Sequence, residues 1–161
     1  MATFVFEGIN EYASKISSFV EKSEGMIKRA VYDGASVVLE AMIAEIDALP
    51  VFKNGYRRTS LPMTGVTETQ KRGLLAGVGL AKMRNDGGLV NTKLGFDGYN
   101  GVRTKKYPKG QPNALIARAV NSGSSVRVKN PFINRAVRAA KAKAEAAMTA
   151  RFDADTKNMM K

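Results

Sequence analysis

The glycines of Gly73-x-x-x-Gly77-x-Gly79 are the nearest this sequence comes to a phosphate-cradling loop. Such loops work because glycine lets backbone N–H groups close around an anion at a helix start. Here the order G-x-G-x-x-G is missing, no G-K-[ST] follows, and the glycines precede a strand pattern instead of following one. Glycine for a turn and a strand entry is the reading that spacing favours. The chain has no His and no Cys. Their absence removes the commonest general base, the thiolate nucleophile, thiolate zinc sites and disulfides. A serine activated by a lysine needs neither. The serines, however, fall in caps and loops, and no S-x-x-K signature stands in a suggestive context. The acidic residues after position 52 are Glu68, Asp86, Asp97, Glu145, Asp153 and Asp155, too dispersed in sequence to suggest a carboxylate site for Mg²⁺ or Ca²⁺. No enzyme, cofactor or metal is expected.

Cationic chemistry remains. The chain carries 26 Lys plus Arg against 14 Asp plus Glu, a net charge of +12. The excess is lopsided. Residues 1–52 hold 4 basic and 8 acidic residues, net −4, and residues 53–161 hold 22 basic and 6 acidic residues, net +16. A basic two-thirds points to an anionic partner, most simply nucleic acid. The densest run is Arg103-Thr-Lys105-Lys106-Tyr-Pro-Lys109, with Tyr99 and Tyr107 available for stacking. A solvated loop kept soluble by its lysines would read the same way. Arg57 and Arg58 sit in a second loop, and Arg135, Arg138, Lys141, Lys143 and Arg151 spread round a C-terminal helix. The contact candidates are Arg57, Arg58, Arg103, Lys105, Lys106, Lys109, Arg135 and Arg138.

The elements that must carry these residues are legible from periodicity. At 161 residues the chain has one domain's worth of sequence, and a domain of that size buries roughly 70% of its unfolded surface. Thr3–Glu7 is aromatic and β-branched, a short strand pattern. Asn10 can cap a short helix with Tyr12, Ile16, Phe19 and Val20 on one side. From about 23 to 49, Ile27, Val31, Ala35, Val38, Met42, Ile46 and Leu49 trace one face of a long helix, capped by Ser23 and ended by Pro50. Gly34 at its middle implies either close approach of another element or plain tolerance. Val37–Ile46, the longest apolar stretch, is broken by Glu40 and Glu45, so no membrane span is expected. The start, with Glu7, lacks a secretory signal's basic and apolar regions, so no leader is expected.

Residues 50–66 read as a loop, 67–76 as one or two helical turns with Thr64 or Thr67 as cap, and 77–96 as a β-hairpin turning at Asn85-Asp86-Gly87-Gly88. Residues 97–112 form a second long loop. A short helix over about 113–122 closes at Gly123. Between Ser124 and Lys129, Val126 and Val128 alternate with Arg127 and Lys129, as in a loop or brief strand. Asn130-Pro131 then opens a C-terminal helix over about 131–152, with Ile133, Val137, Ala140, Ala144, Met148 and Phe152 on one face. A frayed tail is expected from 153 to 161. The fold class is α+β, a single domain over 1–152 with extended loops at 50–66 and 97–112.

Three stretches together resemble a known family. They are Ala30-Val31-Tyr32-Asp33-Gly34-Ala35, the run from Gly79-Leu80-Ala81-Lys82-Met83-Arg84 through Asn91-Thr92-Lys93-Leu94-Gly95-Phe96-Asp97-Gly98-Tyr99-Asn100, and Ala117–Ser125 followed by Asn130-Pro131-Phe132-Ile133-Asn134-Arg135-Ala136. In order and spacing they resemble the tail-completion, or head–tail joining, proteins in the neck of long-tailed bacteriophages. The Gly-Ser-Ser followed by Pro-Phe and a helix is the most specific part. The resemblance implies a structural virion protein assembled in the host cytoplasm, with a small antiparallel sheet packed by the long helix. Its copies would form a ring, expected to be a hexamer. The ring would join the head-closure protein to the tail terminator or tail tube, with double-stranded DNA passing non-specifically through the lumen. No catalytic residue is implied. The rival readings are a sequence-independent basic nucleic-acid-binding module and the equivalent joining subunit of a contractile tail-like particle.

Overall fold

The computed structural model describes residues 9–52 and 62–159, with side chains from residue 22 onward. The strand pattern at 3–7 lies outside the described residues. Among the described residues, four helices and small two-stranded sheets make an α+β fold in which antiparallel pairing dominates.

Helix α1 runs without a break from Ile9 to Asp47. The two separate helices expected here are therefore one, and Ser23 lies inside it. Nothing between Val20 and Gly25 breaks a helix strongly: Glu21, Lys22 and Glu24 are good helix formers, and a single Gly25 costs only about 1 kcal/mol. Helix α4 spans Phe132–Met159 and lies antiparallel to α1. The helix continues through residues 153–159, within the stretch where a frayed tail is expected. Asp155 receives Arg29 Nε of α1 at 2.7 Å, and the Thr156 hydroxyl bonds back to the Phe152 carbonyl, so the last turns are tied down.

The α1–α4 seam is built on small residues. Ala136, Ala140 and Ala144 are buried on α4, and Met26, Ala30, Met42 and Ile46 on α1. A Cβ placed on Gly34 would stand 2.5 Å from Met148 Cγ and 3.1 Å from the Ala144 carbonyl oxygen. Close helix–helix approach is thus the reason for that glycine. Of the faces drawn on periodicity, Met42, Ile46 and Leu49 of α1 and Ala140 and Ala144 of α4 are buried as expected. Ile27 and Val137 are exposed, whereas Met26, Ala30, Phe132 and Ala136 face inward, so the buried stripe is shifted by one position there. Ion pairs lie toward both ends. Arg135 gives Glu45 Oε2 two hydrogen bonds, at 2.9 Å from Nε and 2.6 Å from Nη2, and Arg29 and Arg151 flank Asp155 and Asp33.

Between the two long helices the chain builds smaller parts. Strands β1 (Val51–Phe52) and β2 (Val66–Thr67) pair in parallel, so the expected 50–66 loop has ordered ends. Helix α2 (Glu68–Gly77) begins with a capping box: Thr67 accepts from the Gln70 amide while the Gln70 side chain accepts from the Thr67 amide. Strands β3 (Val78–Leu80), β4 (Arg84–Asp86), β5 (Leu89–Asn91) and β6 (Leu94–Phe96) form one antiparallel ribbon, the hairpin expected over 77–96. Its turn is Gly87-Gly88, with φ of 65° and 93°, the left-handed pair that a two-residue hairpin loop requires. The ribbon is kinked midway. Ala81 still bonds Lys93 at 2.7 Å, and Arg84 is in register with Asn91, so Lys82 and Met83 oppose Thr92 alone, a β-bulge.

Helix α3 (Asn113–Ser122) closes at Gly123 as expected. The start of α4 differs. Asn130 does not cap it; instead Asn121 of α3 lends its side-chain oxygen to the Ile133 amide at 3.1 Å, while Asn130 Oδ1 accepts from Arg135. The main core gathers Met42, Ile46 and Leu49 of α1 with Val66, Leu74, Ile116, Val120 and Phe132; Phe96 meets Phe132 edge-on at 6.1 Å.

The seam gives the first prediction. Gly34→Leu should destabilise the fold by about 2 kcal/mol through overpacking. Gly34→Ala should cost less, because a helix-propensity gain of about 1 kcal/mol partly offsets the crowding of Met148 and of the Ala144 carbonyl. Thermal unfolding followed by circular dichroism reads both; a Gly34→Leu protein as stable as the parent would contradict the close approach.

Candidate partner and nucleic-acid interface

The 97–112 loop presents the cationic run. Its neck is closed by hydrogen bonds from the Asn100 amide to the Gln111 carbonyl, 2.9 Å, and from the Asn113 amide to the Gly98 carbonyl, 3.0 Å. Within it, Thr104 and Tyr107 exchange backbone hydrogen bonds, and the Thr104 hydroxyl also accepts from the Tyr107 amide at 3.1 Å. Arg103, Lys105, Lys106 and Lys109 are all exposed around this small turn. Lys106 Nζ lies 5.7 Å from the centre of the Tyr107 ring, a cation–π arrangement. Tyr99 is 63% exposed at the loop's entry. The loop thus gathers four of the eight candidates, with aromatic surface nearby.

The other four are placed differently. Arg57 and Arg58 lie outside the described residues. Arg138 is exposed on α4 beside Lys141, one turn on. Arg135 is bound to Glu45 and Asn130, so its guanidinium joins α4 to α1.

Sequence reasoning missed a buried polar cluster under α2. Gln70, Gln111 and Arg127 are all inside. Gln70 Nε2 donates to Gln111 Oε1 at 2.9 Å; Arg127 Nη2 donates to Gln70 Oε1 at 3.2 Å, and Arg127 Nη1 to the Gly65 carbonyl. The 124–128 segment therefore has inverted polarity: Arg127 points in, while Val126 and Val128 are exposed. The Thr67-x-x-Gln70 spacing was the available signal for one member. Arg127 had none, because a charged residue between two valines reads as the outward side.

The glycines of Gly73-x-x-x-Gly77 are explained by packing. A Cβ on Gly73 would stand 2.6 Å from Asn100 Cβ, and one on Gly77 would stand 2.3 Å from the Asp97 carbonyl oxygen. They let the 97–100 turn and Asn113 lie against α2. Among the described residues no cluster of acidic side chains could hold a metal, and no helix is long and apolar enough to cross a membrane. The surface suits diffuse electrostatic contact with an anionic partner.

Replacing Arg103, Lys105, Lys106 and Lys109 together by Ala should leave thermal stability within about 0.5 kcal/mol, as for exposed loop positions. Affinity for duplex DNA should fall, and the slope of log affinity against log salt should shrink by about 0.9 for each lost phosphate contact. Arg127→Ala should instead cost about 3 kcal/mol of stability, by stripping hydrogen bonds from a buried cluster. Filter binding across a salt series and denaturant unfolding separate the two; an unchanged salt slope would remove the loop from the interface.

In comparisons with known proteins, no family model matches the chain, and neither a curated protein nor a solved structure matches it.

Proposed function

We propose that this chain is a structural subunit of a phage neck, forming a ring that joins the head-closure complex to the tail tube and lets DNA pass. One observation carries the reading: the residues behind the sequence resemblance are frame-building residues. Gly34 sets the α1–α4 distance, Phe96 packs on Phe132, and Asn121 caps α4. Gly87 and Gly88, within the hairpin stretch, make its turn. A signature spent on shape suits a protein whose task is to hold a defined form among neighbours. The 103–109 loop adds an exposed array of point charges without a groove-reading element, as suits a passing duplex contacted through phosphates alone. In this reading the protein is not an enzyme, and its partners are its own copies, the head-closure protein, the tail terminator or tube protein, and genomic DNA.

The exposed cationic loop also favours a second reading, a sequence-independent nucleic-acid-binding module outside a virion. The two differ in location. Immunogold or cryo-electron imaging of purified particles should find the protein at the head–tail junction, and raising salt should loosen that joint. A protein absent from purified virions would overturn the neck reading. A tight, sequence-selective DNA complex at physiological salt would overturn both.

A further inference from the structure

The β3–β6 ribbon has two unlike faces. Val78, Leu94 and Phe96 pack on the core. The opposite face is almost bare backbone: Gly79 and Gly95 are directly in register, and a Cβ on either would meet nothing within 4 Å. Gly77 and Ala81 continue the face on one strand, Lys93 and Asp97 on the other, and together they line a groove of about 360 Å³. It runs on, past the shared Gly77 and Asp97, into a second groove of about 310 Å³ that Asn113 and Tyr99 line. Asn113 is only 3% exposed, and its side-chain oxygen has no hydrogen-bond partner. That oxygen lies against the glycine face of α2, 2.7 Å from where a Gly73 Cβ would stand. Among the described residues no third strand pairs with β3 or β6.

Facing glycines in a ribbon are stabilised when an aromatic side chain from a neighbouring strand lies over them. A two-stranded ribbon with open edges is also a template for an added strand. The chain contains a segment of matching chemistry. In Thr3-Phe4-Val5-Phe6-Glu7, Phe4 and Phe6 fall on one side of an extended strand, at the two-residue repeat that also separates Gly77, Gly79 and Ala81. We infer that residues 3–7 of a second copy add a strand to the β3–β6 ribbon, laying Phe4 and Phe6 over the Gly79–Gly95 face.

The tether excludes the segment's own chain as the acceptor. The ribbon packs beside the C-terminal part of α1, where Val78, Leu94 and Phe96 join a core that includes Met42, Ile46 and Leu49. From Ile9 to Met42 the unbroken helix advances about 50 Å. Packed layers stand about 10 Å apart, and Phe4 can lie at most about 17 Å from Ile9. The gap is about twice the reach, so the strand must come from another copy. This inference rests on the ring-forming reading and adds to it the surface by which copies join.

The absence of Cys makes the test clean. Full-length single variants Phe4→Cys and Gly95→Cys are mixed at up to about millimolar chain and oxidised, and dimers are counted by intact mass. Gly95 has room for the new side chain. The mixed dimer should exceed that formed by Phe4→Cys with Val126→Cys, a control at an exposed site off the ribbon. The Phe4→Ala/Phe6→Ala variant should self-associate about tenfold more weakly in sedimentation. No excess over the control at any concentration would overturn the inference, as would a Phe4→Cys/Gly95→Cys chain that closes only on itself. The two readings fail separately. Copies that assemble without the disulfide sink strand addition alone; a disulfide-forming chain missing from virions sinks the neck alone.

Discussion

The spacing between α1 and α4 is the constraint on which the rest of the structure depends. Backbone-to-backbone approach at Gly34 and the alanines of α4 fixes how the long helices lie. The segments between them in sequence then pack beside α1, with the main core near its C-terminal end. The core there is closed by Met42 and Ile46 from one helix and Phe132 from the other. Small residues at the seam mean that dispersion between closely set helices does the work that large apolar side chains do elsewhere. The ion pairs toward the two ends are half-exposed and contribute little individually. They set the register of the pair more than its strength.

A second frame sits on top of the first. The 65–70 and 124–129 segments are joined through Arg127, Gln70 and Gln111 in the interior. A buried polar cluster of this kind fixes one arrangement, since its groups have no comparably satisfied alternative. It holds the base of α2, and α2's glycines in turn seat the 97–100 turn at the root of the cationic loop. The exposed loop therefore has its root anchored in the interior.

Much of this was legible in the sequence, and the failures share a physical origin. The hairpin turn at Gly87-Gly88, the Thr67 cap, α3 with its Gly123 stop, and the existence of both long helices follow from residue chemistry within a few positions. What was lost depends on partners distant in sequence. The exact buried stripe of α1 and α4 depends on which small residues the two helices offer each other, and periodicity alone left Ile27 and Val137 on the inside. The true cap of α4 is Asn121, which local reasoning could not prefer over the adjacent Asn130. Arg127 is buried against carbonyl and amide oxygens about sixty positions away. In the candidate interface, the 103–109 loop was visible as charge, but the bonds of Arg135 to Glu45 and Asn130 were not.

That sorting of arginine from lysine bears on what the surface can do. Arg127 and Arg135 each give hydrogen bonds from more than one guanidinium nitrogen to groups within the chain, where planar, multidentate geometry is used. Arg29 and Arg151 pair with acidic side chains through Nε. The densest exposed run holds one arginine and three lysines. Lysines are strongly hydrated point charges on flexible stems, and they contact phosphate without demanding a geometry. A surface of this kind tolerates a partner that slides past it. The net charge of +12 is thus two populations: a framework share that locks the helices, and a surface share whose contacts are loose and screened by salt. Only the second is free to meet an anionic partner.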